Sequence, residues 1–183
     1  MTQAIYSGKD FSRQFRVVRN NTLQIAEDIP ETKYGFVPAP GSRALAALLI
    51  HIAVSPGMWF EVHGRQKVKT LVGFDFGKLS SEMRAEEASS KSKAEILDLL
   101  RKDGEQFAAW LETLTPEFLA EMITVADNTG TKSRFEQLLG AKEHEMHHRG
   151  QLMLIERQLG IVPHLTRQAE ERLAQIGTGT SGR

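Results

Sequence analysis

Lys142-Glu143-His144-Glu145-Met146-His147-His148-Arg149-Gly150-Gln151 holds three of the chain's six histidines and lies within one long helical run. That run opens at Ser133-Arg134-Phe135-Glu136, which has the spacing of a capping box, and it stops at Gly160 and Pro163. On a helix, the four-residue step from His144 to His148 is about 40° of rotation and roughly 6 Å of rise, so the two imidazoles face the same way. Two neutral imidazoles on one face bind a divalent transition ion, and a third ligand from another element leaves a coordination position open for water or substrate. His147 points about 100° from His148 and is set aside as a ligand. The competing reading is a polar helix with surface histidines, flanked by acids and Arg149. The dense run of imidazoles, leading through Arg149-Gly150-Gln151 into apolar Leu152, Leu154 and Ile155, favours the metal.

The same residues match His-Glu-x-x-His, with Glu145 in the place of a zinc peptidase's general base. The longer metzincin pattern requires Gly at 151 and His at 154, where this chain has Gln151 and Leu154. Glu170 or Glu171 as a downstream acidic ligand lies beyond the Gly160 and Pro163 break. The peptidase is therefore a minority reading.

Outward from this stretch, the rest of the chain supplies the other helices. Phe11, Phe15, Val18, Thr22, Ile25 and Ile29 recur in steps of four and three, predicting a first helix from near Asp10 to before Pro30. That stripe reads equally as core or as interface. Residues 31–40 read as a loop, and Gly41-Ser42 offers a cap for a second helix from Arg43. Its apolar face, Leu45, Leu48, Leu49 and Ile52, has His51 beside it, and a desolvated imidazole must find a partner. A hydrogen-bonded core histidine is the usual explanation; a two-histidine site in need of a third ligand raises the metal reading. Pro56 is expected to kink or end this helix and open the bundle beyond His51, with Trp59 and Phe60 in the core or on a pocket wall. From His63 to Lys91 the periodicity fades, and the segment reads as a connection. Ser92-Lys93-Ala94-Glu95 caps a third helix carrying Ile96, Leu100, Phe107, Leu111 and Leu114. Residues 127–130 read as a turn. Residues 166–176 are expected to add a short helix, closing a single domain over 1–176, and 177–183 reads as a flexible tail. Four amphipathic helices without a convincing strand predict an all-α four-helix bundle with long connections and a short C-terminal extension.

Composition narrows the chemistry. A chain of 183 residues buries a core without disulfides or a structural metal. Lys+Arg and Asp+Glu are balanced at 23 each with no basic block, which gives nucleic acid or an anionic membrane no electrostatic support and leaves small molecules as partners. With no cysteine there is no thiolate ligand or nucleophile, so thiol chemistry requires an external thiol. The first ten residues lack a signal-type apolar segment, and no uninterrupted run approaches the ~18 apolar residues of a membrane span. These readings predict a soluble, cytoplasmic protein.

In several of these stretches the chain resembles the DinB-like (DinB/YfiT) superfamily of metal-dependent enzymes. The resemblance rests on Leu48-Leu49-Ile50-His51-Ile52-Ala53, on Ser92 to Leu100, and above all on His144 to Leu152 followed by Leu159-Gly160-Ile161-Val162-Pro163. It implies a four-helix bundle with one metal ligand on the second helix and two on the fourth, by position His51, His144 and His148, holding zinc or nickel. Some members transfer small thiols, and homodimers are common. The break at Pro56 departs from the family's second helix.

The expected function is accordingly metal-assisted activation of a thiol or water, as a thiol S-transferase or hydrolase acting on a small molecule. The alternative is a metal- or ligand-binding protein without turnover. Glu145 is a candidate proton acceptor or a solvated acid, and Arg149 holds an anionic substrate or pairs with an acid. Gln151 is expected to hydrogen-bond near the site.

Overall fold

The computed structural model describes residues 6–179. Helix α1 (Gly8–Asp28) opens on a capping box in which Ser7 accepts from the Asp10 amide and the Asp10 carboxylate accepts from the Ser7 amide. The whole predicted stripe is buried, with Phe11, Phe15, Thr22, Ile25 and Ile29 fully inaccessible, so the stripe is core and not interface.

The second helical element is longer than the sequence suggested. Helix α2 (Leu45–Val54) starts two residues after Arg43 and has no side-chain cap. It passes through Ser55, which has helical dihedrals, into α3 (Pro56–Trp59) and then widens into a π turn over Phe60–Arg65. Pro56 thus removes one amide donor without ending the helix, a correction to the expected opening. The carbonyl it frees, that of Ile52, accepts from Arg19 Nη2 at 3.1 Å, so tertiary structure replaces the lost partner. By length and composition Leu45–Arg65 is long and apolar enough to cross a membrane, but more than half of its apolar window is buried inside the bundle.

A further helix, α4 (Phe76–Glu87), occupies the segment expected to be a connection. It buries no residue fully, which is why no apolar period marks it. Helix α5 (Lys93–Glu112) is capped by Ser92 and Glu95 as predicted and buries Ile96, Leu100, Phe107 and Leu111 against α1 and α2. After a short α6 (Pro116–Ala120), strands β1 (Met122–Thr124) and β2 (Thr131–Ser133) pair antiparallel around the predicted turn. Three residues each are too few for a strand period to show.

Helix α7 (Arg134–Gln158) begins at the Ser133 and Glu136 box. It ends in a Schellman turn: Ile161 N–H donates to the Glu156 carbonyl at 2.8 Å and Gly160 N–H to that of Arg157 at 3.1 Å, with Gly160 at φ 78°. Helix α8 (His164–Gly179) is longer than the short helix expected and runs into the segment expected to be tail, of which residues 180–183 lie outside the described residues. It docks on α1, with Arg167 paired to Asp28 at 2.6 Å and the His164 ring to Asn21 Oδ1 at 3.1 Å.

The four long elements, α1, the helix over 45–65, α5 and α7, form the predicted all-α four-helix bundle. Its apolar interior has two parts, one around Phe11, Phe15, Phe107, Leu111 and Leu138, the other around Ile25, Leu49, Ile52, Leu100 and Leu152. Between them in the order of each helix lies a polar layer: Arg19 on α1, Gly104 on α5 and Glu145 on α7. Arg19 Nε donates to both Glu145 oxygens at 2.9 and 3.1 Å, and Nη1 to the Leu100 carbonyl at 2.7 Å. A Cβ on Gly104 would lie 2.9 Å from Arg19 Cγ, so glycine is what lets the arginine cross the bundle.

Candidate metal centre

Helix α2 brings His51 to the face of α7 that carries His144 and His148. The Nε2 atoms of His51 and His148 each lie 3.1 Å from Nε2 of His144, and one nitrogen of each ring falls within 4.8 Å of the others. Ligands at about 2.0–2.1 Å around a tetrahedral zinc stand about 3.3 Å apart, close to the two separations from His144. The His148 residue is 8% exposed and the His51 side chain 11%, so the cluster is largely withdrawn from water.

The outer nitrogens have their own partners. His51 Nδ1 lies 2.7 Å from Glu87 Oε1, and Glu87 Oε2 accepts from Arg43 Nε at 2.7 Å. His148 Nδ1 lies 2.8 Å from Gln151 Oε1, and the Gln151 amide nitrogen lies 3.2 Å from His147 Nε2. Since carboxylate and amide oxygens only accept, His51 and His148 carry their protons on Nδ1 and present bare Nε2 lone pairs to His144. A neutral His144 has one proton, enough for at most one of its two contacts. A cation at the point of convergence removes this shortage of donors, so the donor set fits a divalent transition ion.

Burial lowers the proton affinity of all three imidazoles, that of His144 to about 4, and the neighbouring Arg43 charge adds to the effect at each. The hydrogen bonds that His51 donates to Glu87 and His148 donates to Gln151 oppose it. At neutral pH the rings are therefore neutral and free to donate lone pairs. Burial works against ionisation of Glu87, but bonds to Arg43 and His51 outweigh it and hold the carboxyl below its ordinary value. The acid on α4 thus fixes the His51 tautomer, as carboxylates behind metal-bound imidazoles do. Glu87 and Arg43 were not picked out in the sequence. Glu87 sits in a polar segment with no period, and only the packing of α4 on α2 brings it to His51.

The remaining candidates fall elsewhere. Glu145 is 1% exposed, and both its oxygens are engaged by Arg19. Arg149 is partly buried, and its charge is felt by His164 at the start of α8. His147 is exposed and meets the cluster only through Gln151 and ring contact with His148. Trp59 is a partly buried wall, its ring centroid 5.8 Å from that of His144 and its Nε1 donating to the Gln137 carbonyl at 3.0 Å.

A four-helix bundle with imidazoles converging from two facing helices defines a class of metal-site bundle proteins. The chain belongs to the DinB superfamily, whose profile matches residues 14–152. It is 30% identical over 143 residues to the protein YjoA of Bacillus subtilis (strain 168), covering 78% of this chain and 84% of that one. The crystal structure of that DinB-like protein superposes with a TM-score of 0.60 at 25% identity, over 81% of this chain and 90% of YjoA. YfiT from Bacillus subtilis, described as a probable metal-dependent hydrolase with an unusual four-helix bundle topology, superposes with a TM-score of 0.65 at 16% identity, over 88% and 93%. That likeness establishes the fold.

Proposed function

We propose that this protein is a divalent-metal-dependent enzyme of hydrolase or thiol S-transferase type, in which His51, His144 and His148 hold one zinc- or nickel-class ion. The observation that carries the reading is the convergence of three imidazoles, with the Nε2 atoms of His51 and His148 each 3.1 Å from that of His144 and too few protons to satisfy both contacts. The description of YfiT as a probable metal-dependent hydrolase is in keeping with it. When bound, such an ion supplies Lewis acidity that lowers the pKa of a water or an incoming thiol. The chain's own residues do the rest. Glu87 and Gln151 hold the Nδ1 protons of His51 and His148 and fix both rings. Glu145 takes a structural part with Arg19, which removes the general base that a peptidase of the His-Glu-x-x-His type requires. Small molecules are the substrates, and the protein works in solution in the cytoplasm.

Elemental analysis of the dialysed, untagged protein beside its His51→Ala variant tests the reading. About one zinc or nickel per chain in the parent and clear loss in the variant are expected. A parent that stays metal-free after reloading would sink the proposal.

A further inference from the structure

Beside the histidines lies a cavity of about 390 Å³, bounded by the connection over residues 38–43, the first turn of α2 and the second half of α7. Leu48, Leu154 and Ile155 give it apolar walls, while Arg43, His148 and Gln151 form its polar edge. Leu154, in this wall, is 58% exposed. Among the described residues that line the cavity there is no carboxylate.

Arg43 is held at this edge in a particular way. Its Nε donates to Glu87 Oε2 at 2.7 Å, which is its one hydrogen bond among the described residues, and its side chain remains 43% exposed. A guanidinium has five N–H donors in a planar fork, so anchoring through Nε leaves the Nη1 and Nη2 donors for a ligand. Glu87 accepts from Arg43 on one oxygen and from His51 on the other, and it does not line the cavity. The lining therefore presents one guanidinium, an imidazole, uncharged amides and apolar walls. An anion with an apolar body complements that set, and a bidentate carboxylate matches the open side of the fork.

We propose that this cavity binds a small organic carboxylate, with Arg43 holding the carboxylate and Leu48, Leu154 and Ile155 covering the apolar body. Resting on the metal-centre reading, it names the substrate class of that site as organic anions. Arg149, the sequence's candidate for an anion, does not line the cavity.

Benzoate is a suitable probe, with neutral benzamide as its control. Calorimetric titrations are made on the full chain, metal-free and zinc-loaded, for the parent, Arg43→Gln and Arg43→Lys, with zinc measured in every sample. Benzoate is expected to bind the parent in both forms, at least tenfold more weakly in Arg43→Gln and with a smaller loss in Arg43→Lys, while benzamide does not distinguish the three. Equal benzoate binding by parent and Arg43→Gln, or none by the parent, overturns the proposal. The two readings fail separately: Arg43-dependent binding in a chain that retains no zinc sinks the metal centre alone. One zinc per chain without Arg43-dependent binding sinks the carboxylate site alone.

Discussion

Glu145 stands between two histidines in sequence and against an arginine in space. Its position in His-Glu-x-x-His suggests chemistry, yet about 100° of rotation per residue turns it away from His144, and Arg19 meets it inside the bundle. Arg19 was not legible: one step off the stripe of Phe15, Val18 and Thr22, a charged residue reads as surface. Only its pairing with a residue 126 positions away makes it core. His144, His148 and His51 were legible because helical spacing converts directly into direction, and an imidazole beside an apolar face is conspicuous. Removing one partner of a buried pair strands the other charge. We expect Glu145→Ala to destabilise the protein by about 3–5 kcal/mol in denaturant unfolding, while the folded variant matches the parent's metal content in elemental analysis. A zinc loss as complete as that of His51→Ala at native-like stability would instead give Glu145 a direct part in the centre.

At the scale of elements, the helices with an apolar period were found and those without one were not. Helix α4 buries nothing fully and so left no pattern, although it delivers Glu87. Helix α7 holds another residue that the sequence leaves unmarked. Glu156, fully buried near the end of α7, has no hydrogen bond to either oxygen among the described residues, and neither has His164 Nδ1 at the start of α8. Burial, with the nearby Asp28 charge, raises the Glu156 carboxyl to about 7, only partly offset by Arg167 and Arg157. Because the folded value lies above the ordinary 4.5, the folded state binds the extra proton between those values. Stability from this group is therefore complete below about pH 4.5, falls as pH rises through 7, and is flat beyond. Glu156→Gln should remove that slope, leaving the variant about 1–3 kcal/mol better placed against the parent at pH 8 than at pH 5. Thermal melts across this range check it; parallel profiles would mean that Glu156 is solvated or paired in solution.

Across the whole molecule, the bundle was readable because four stripes must bury one another, a requirement that each stripe announces alone. What joins the four is not announced. The fully buried Arg134 reaches His63 Nδ1 at 3.2 Å, Glu121 at 2.9 Å and the Lys67 carbonyl at 3.2 Å, gathering the π turn and the hairpin's approach at the start of α7. Nothing local to Ser133-Arg134-Phe135-Glu136 separates that arginine from a surface one. The layer of Arg19 and Glu145 is likewise a contact between distant parts, and it has a consequence for how the molecule opens. A charged seam between two oily compartments is a natural plane for partial unfolding, since each side can solvate without first exposing the other. Amide hydrogen exchange should therefore resolve two cooperative units, one following the backbone around Phe15 and Phe107, the other that around Ile25 and Leu100. A single exchange free energy spanning both would show that the seam welds the halves together.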